Sequence, residues 1–77
     1  MAVDIQKNSY EVLRVQQTTY GGYDLVDIRV FYRRKPEDAY KPSPKGVSFR
    51  TRLLAPLIQA LCEVRDGMEG EQDEATK

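Results

Sequence analysis

The chain has no histidine, no tryptophan and a single cysteine, Cys62, among its 77 residues. A structural zinc site needs about four Cys or His ligands, and a Cys–His nucleophile pair needs a histidine. Both are excluded by counting, and a lone cysteine suits a reducing compartment. No apolar run approaches the roughly 18–20 residues that span a bilayer. The segment Met1-Ala2-Val3-Asp4-Ile5 lacks the charged and apolar regions of a signal peptide. Paired acids, an activated nucleophile and a phosphate-cradling glycine loop are missing as well. These absences lead us to expect a soluble, intracellular protein that is not an enzyme, holds no metal or cofactor and meets no membrane.

A chain of 77 residues has room for one domain with a small core. Without disulfides or metals, the remaining support for such a core is a partner subunit, so a homo-oligomer is expected. Net charge is also absent, since 12 Lys and Arg balance 12 Asp and Glu. The charges are nevertheless segregated. From Arg29 to Arg52 eight basic residues face two acidic ones, a balance of +6, and from Asp66 to Lys77 five acidic residues face one basic, a balance of −4. The body is basic and the tail acidic.

Residues 1–9 are polar without a period and read as a flexible arm. Tyr10 to Gln17 is rich in β-branched types and reads as a first strand. Thr18 to Gly22 ends in Gly21-Gly22, which supplies the positive φ angles of a tight hairpin turn. Tyr23 to Tyr32 alternates, with Val26, Ile28 and Val30 on one face and Leu25, Asp27, Arg29 and Phe31 on the other. Arg33 to Pro44, with Pro36, Pro42 and Pro44, reads as a long loop or a short irregular edge strand. Lys45 to Phe49 reads as a last strand. Leu54, Leu57, Ile58, Leu61 and Val64 recur at three- and four-residue steps, which predicts an amphipathic helix able to pack on Val26, Ile28, Val30 and Val47. An irregular turn is expected over Thr51 to Ala55, because Pro56 is tolerated only near the helix start. Asp66-Gly67 should end the helix, leaving residues 67–77 as a disordered acidic tail and residues 10–66 as the folded domain.

Function is concentrated between Tyr20 and Lys45. Tyr20, Tyr23, Phe31, Tyr32 and Tyr40 interleave with Arg29, Arg33, Arg34, Lys35, Lys41 and Lys45. Single-stranded nucleic acid is held by cations that track phosphates and by rings that stack on unpaired bases, each stack contributing about 1–3 kcal/mol. The proline-stiffened loop Lys41-Pro42-Ser43-Pro44-Lys45-Gly46 presents two lysines in a preset conformation, which limits the entropy lost on binding.

The stretch Tyr20-Gly-Gly-Tyr-Asp-Leu-Val-Asp-Ile-Arg-Val-Phe-Tyr, followed by Tyr40-Lys-Pro-Ser-Pro-Lys-Gly-Val-Ser-Phe and an amphipathic helix, resembles the transcriptional positive cofactor four family of single-stranded-DNA-binding coactivators. The resemblance covers roughly residues 10 to 65, and its order and spacing agree as well as its content. It implies an α+β fold, a four-stranded curved antiparallel sheet followed by one C-terminal helix, in a homodimer whose helices meet at the interface. Carried over by position, it implies base stacking by Tyr20 and Tyr32 and phosphate contacts by Arg29, Lys41 and Lys45. The dimer seam would hold Leu54, Leu57, Ile58, Leu61 and Cys62, with Cys62 a small buried hydrophobe. Two departures stand out. Gly21 and Tyr23 occupy places where the family carries lysines, and Pro44 replaces a basic residue, with Arg33, Arg34 and Lys35 as candidate compensation. Strict alternation also sets Arg29 and Tyr32 on opposite faces, so a shared DNA strand requires a bulge or strong twist.

The resemblance implies sequence-independent binding of single-stranded DNA in transcription, replication or recombination. The long serine-rich, basic extension of eukaryotic members is missing, which suggests a compact bacterial or phage version; a bacterial or phage protein would be cytoplasmic and a eukaryotic one nuclear. The acidic tail is a candidate for contacting replication or transcription proteins. An RNA-binding module and a dimeric protein-interaction domain are the alternatives. Log affinity should fall linearly with log salt for a nucleic acid and hardly respond for an apolar protein interface.

Overall fold

The computed structural model describes residues 1–71. Its elements run in the order β1 (Ala2–Asn8), β2 (Glu11–Tyr20), β3 (Tyr23–Tyr32), β4 (Lys41–Arg50), a single 3₁₀ turn (Thr51–Leu53) and α1 (Leu54–Glu71). The four strands form one antiparallel sheet in sequential order, so β1 and β4 are its edges. The expected architecture of four antiparallel strands followed by one helix is therefore observed, with two strands differently placed.

Residues 2–8 are not a loose arm. Val3 and Ile5 stand opposite Val15 and Leu13 of β2, while Asp4 stands opposite Arg14 and donor–acceptor distances of 2.7 and 3.0 Å join their side chains. The apolar-polar alternation of Val3, Asp4, Ile5 and Gln6 was present in the sequence, but what makes it a strand is the matching edge of β2. β4 is also longer than expected. Lys41 to Arg50 forms one strand despite Pro42 and Pro44, because an edge strand needs a ladder on one side only. The loop shrinks to residues 33–40.

β2 and β3 pair without interruption from Glu11↔Tyr32 to Tyr20↔Tyr23, and the two-residue turn is Gly21-Gly22 at φ 61° and 82°. Two positive φ angles match the right-handed strand twist in a hairpin turn, and glycine adopts them without strain. The irregularity lies in the other ladder. Arg29 pairs with Gly46 and Phe31 with Pro42, so Ser43, Pro44 and Lys45 oppose the single residue Val30. The bulge is in β4, not β3, and Arg29 and Tyr32 remain on opposite faces.

Pairing and alternation give the sheet two unlike faces. One is aliphatic and carries Val3, Ile5, Leu13, Val15, Val26, Ile28, Val30, Val47 and Phe49. The other carries Arg14, Arg29 and Arg50 among Val12, Asp27, Phe31 and Ser48. Only Val12, Val26 and Phe31 are buried apolar side chains among the described residues. The core within one chain is thus very small.

The 3₁₀ turn over Thr51–Leu53 is the irregular entry expected before the helix. Pro56 is the third residue of α1, in the first turn, where backbone N–H groups lack intrahelical partners and its missing donor costs little. The helix continues through Gly67 to Glu71 rather than stopping at Asp66. A helical glycine costs about 1 kcal/mol relative to alanine, which weakens a helix without ending it. Of the expected tail, residues 72–77 lie outside those described.

Only the start of α1 meets the sheet. Leu53 and Leu57 line a groove of about 310 Å³ with Ile28, Val47 and Phe49. Leu54 lines a second of about 300 Å³ with Val3, Val15 and Val26. Beyond them Ile58, Leu61, Val64 and Met68 are exposed. The helix stripe is therefore not buried against its own sheet along its length, contrary to the packing the periodicity suggested.

Candidate nucleic-acid interface

Three groups of side chains emerge from the residues singled out in the sequence. The first sits at the Gly21-Gly22 turn, where Tyr20 and Tyr23 are directly paired and both exposed. The second lies at the opposite end of β3. Tyr32 pairs with Lys41 across the ladder, and with Arg33, Arg34, Asp38 and Ala39 they line a cleft of about 280 Å³. The third surrounds the bulge and contains Arg29 and Lys45. Nine residue steps separate Tyr23 from Tyr32, roughly 30 Å at 3.3 Å per residue.

Arg29 is deeply committed. Its Nη2 and Nε donate to Asp27 at 2.9 and 3.2 Å, and its Nη1 donates to the Ser43 carbonyl at 3.2 Å. Ser48 donates to the same carboxylate. The Asp-Ile-Arg motif thus places its charged pair on one face two residues apart, where it neutralises itself and anchors the bulged strand. Gly46 completes this arrangement. A Cβ there would fall 2.5 Å from the Ile28 carbonyl oxygen and 2.8 Å from the Arg29 Cα.

Hydrogen bonding from Arg29, then from Ser48, holds the Asp27 carboxyl below its ordinary value of 3.8 although burial opposes this. A depressed folded-state value means that the charged carboxylate stabilises the fold above the ordinary value and that this stabilisation is lost as pH falls through the folded value. Asp27→Asn is expected to cost about 1–3 kcal/mol at neutral pH by leaving the Arg29 donors poorly paired. In denaturant titrations, the gap between the two proteins should narrow as pH drops below 3.8. A gap independent of pH would contradict the assignment.

Arg33 also serves the fold. Its guanidinium donates twice to the Ser9 carbonyl, at 3.2 and 3.0 Å, and once to the Pro36 carbonyl, and it lies 4.6 Å from the Tyr40 ring centroid. The Tyr40 hydroxyl in turn accepts from Gln6 at 3.2 Å. These contacts fasten the 33–40 loop to the β1–β2 turn and shape the cleft beside Tyr32. Arg34, Lys35, Lys41 and Lys45 are exposed and make no ion pair among the described residues. They are available to a ligand.

Sequence reasoning missed Arg14 and Arg50. Arg14 is neutralised by Asp4, whose carboxyl it holds below the ordinary value through their hydrogen bonds, and it stacks 4.2 Å from the Phe31 centroid. Arg50 lies 3.7 Å from the Tyr23 ring centroid. Both contacts join different strands, so no spacing along the chain announces them. Among the described residues no Cys, Asp and Glu cluster could hold a metal ion, and no helix is long and apolar enough to cross a membrane.

A search of curated proteins found no match. Among solved structures, a PC4 homologue from Burkholderia pseudomallei in its orthorhombic crystal form has a TM-score of 0.75 at 32% identity, over 82% of this chain and 84% of that one. Its tetragonal form gives 0.73 at 32% identity, over 82% and 91%. A bacteriophage T5 homologue of the eukaryotic coactivator PC4, implicated in recombination-dependent DNA replication, gives 0.72 at 18% identity over 90% and 80%, a likeness of fold. Residues 7–60 match the family described as Transcriptional Coactivator p15 (PC4), a span holding the hairpin, the Asp-Ile-Arg strand, the Lys-Pro strand and the helix start. The chain belongs to the PC4 family.

Proposed function

We propose that this protein binds single-stranded DNA without reading its sequence, as a homodimer, and serves transcription, replication or recombination without catalysing a reaction. The observation that carries this reading is the pairing of exposed rings with uncompensated cations. Tyr20 ends β2 opposite Tyr23 at the hairpin turn, and Tyr32 ends β3 at the far end of the same ladder, on the other face of the sheet, beside Lys41 and Arg34. Exposed rings offer stacking platforms to unpaired bases, which a duplex keeps inside its stack. Lys41, Lys45, Arg34 and Lys35 supply the charge that follows the phosphates, while Arg29 supports the bulge from which Lys45 projects.

The homodimer is supported by what one chain leaves uncovered. Ile58, Leu61, Val64 and Met68 on α1, and Val3, Ile5 and Val47 on the aliphatic face, are exposed apolar side chains. Exposed apolar side chains gathered on one helix and one sheet face are the kind of surface that marks an interaction site. A second copy packing α1 against them would enlarge the core and double the binding surface. Leu54, Leu57, Ile58, Leu61 and Cys62 remain the proposed seam. Contacts between the acidic C-terminal residues and transcription or replication proteins belong to the same proposal.

The test is a fluorescence titration of the full chain with oligo-dT, oligo-U and duplex DNA at two salt concentrations, alongside sedimentation expected to give twice the chain mass. Oligo-dT should bind more tightly than duplex, with log affinity falling linearly in log salt. Lys41→Ala or Lys45→Ala should make that slope shallower by about 0.7, the contribution of one phosphate contact on a single strand. Duplex binding equal to oligo-dT would defeat the single-strand reading, and tighter oligo-U binding would favour RNA.

A further inference from the structure

We propose that Arg50, held on the ring of Tyr23, is a preorganised phosphate-binding cation next to a base-stacking Tyr20. Arg50 ends β4 opposite Leu25, and Tyr23 lies two residues before Leu25 on β3, so both side chains share one face as diagonal neighbours. The Arg50 guanidinium carbon is 3.7 Å from the Tyr23 centroid, the closest of the three arginine–ring contacts among the described residues. Such a contact orders a long side chain while keeping its full charge.

The other two arginines of this face differ in one respect. Arg14 is paired with Asp4 and Arg29 with Asp27. Arg50 has no carboxylate partner among the described residues. It is therefore the cation of this face that is both positioned and uncompensated, and holding it in place reduces the entropy lost when an anion binds.

The same geometry divides the work of the two tyrosines at the turn. The guanidinium covers one face of Tyr23, which is 52% exposed, whereas Tyr20, directly opposite it in the hairpin, is 80% exposed. Tyr20 is the open platform and Tyr23 the support for Arg50. Two strand spacings, about 10 Å, separate β4 from β2. A phosphate at Arg50 and a base on Tyr20 thus belong to neighbouring nucleotides of one strand. The turn itself carries no cation, and β4 brings one to it.

This assignment rests on the single-strand reading above, and the test separates the two. Oligo-dT affinity is measured over a salt series for the unaltered full chain and for R50A, R50Q, R50K, Y23A and the R50A/Y23A pair. R50A and R50Q should each lose several-fold in affinity and make the salt slope shallower by about 0.7. R50K should keep the slope. Y23A should weaken binding several-fold in the unaltered background and hardly at all once Arg50 is gone, because its effect passes through the arginine. An unchanged slope in both R50A and R50Q, or an equal cost of Y23A with and without Arg50, would overturn the pair while leaving single-strand binding standing. Failure of the unaltered chain to bind oligo-dT would overturn both.

Discussion

Replacing Tyr20 and Tyr32 together by alanine should weaken oligo-dT binding by about 2–6 kcal/mol, roughly thirty-fold to more than ten-thousand-fold, with little change in the salt slope. The estimate adds two stacking contributions of about 1–3 kcal/mol each. Addition is justified because the rings occupy opposite ends of the β2–β3 ladder, Tyr20 beside Tyr23 and Tyr32 nine residue steps further on, roughly 30 Å apart and well beyond the distance at which neighbouring substitutions couple. Each single substitution should therefore show about half of the combined loss in free energy. Tyr20 is largely exposed and Tyr32 borders the cleft with Lys41, so neither removal opens a core cavity. Thermal melting should confirm unchanged folding. A shallower salt slope in the double variant would show that the rings act by placing cations rather than by stacking.

Gly46→Ala should destabilise the sheet strongly, because Gly46 alone among the glycines at positions 21, 22, 46 and 67 leaves no room for a Cβ. The new Cβ would meet the Ile28 carbonyl oxygen at 2.5 Å and the Arg29 Cα at 2.8 Å, both backbone atoms of the adjacent strand. A flexible side chain could swing away, but a paired backbone moves only by giving up ladder hydrogen bonds. Overpacking of this kind costs about 1–3 kcal/mol, and the rigid obstacle places Gly46 at the upper end. For a domain of this size, about 3 kcal/mol corresponds to a melting temperature lower by roughly 12–24 °C. Part of the loss should pass through Arg29, whose guanidinium spans Asp27 and the Ser43 carbonyl at the same bulge. A Gly46→Ala protein that melts like the unaltered chain would mean that β4 can shift its register without penalty.

Much of this was legible before any coordinates. The alternation from Tyr23 to Tyr32 set out both faces of β3, and Gly21-Gly22 marked the hairpin. Pro56 placed the irregular entry to α1 within a few residues. What failed was local reading at the edges. Residues 2–8 look like an arm until Val3, Asp4 and Ile5 meet Val15, Arg14 and Leu13. Pro42 and Pro44 argue for a loop until the strand holding them is seen to be an edge.

The candidate site divides in the same way. Tyr20, Tyr32, Lys41 and Lys45 could be named from residue type and resemblance, and the structure leaves them exposed. Arg29 and Arg33 carried the same chemical promise, yet Asp27, Ser43, Ser9 and Pro36 engage their guanidinium groups within the fold.

By itself the sequence determined the class of the protein. The absence of histidine and of a second cysteine excluded a Cys/His zinc site and Cys–His chemistry, and basic and aromatic residues fall together in one segment of strands and turns. Tertiary structure alone decided which cations remain free and which rings are open. Periodicity records the face on which a side chain lies. The identity of its neighbour depends on strand register, which the two-residue turn fixes on one side of β3 and the bulge over Ser43 to Lys45 shifts on the other.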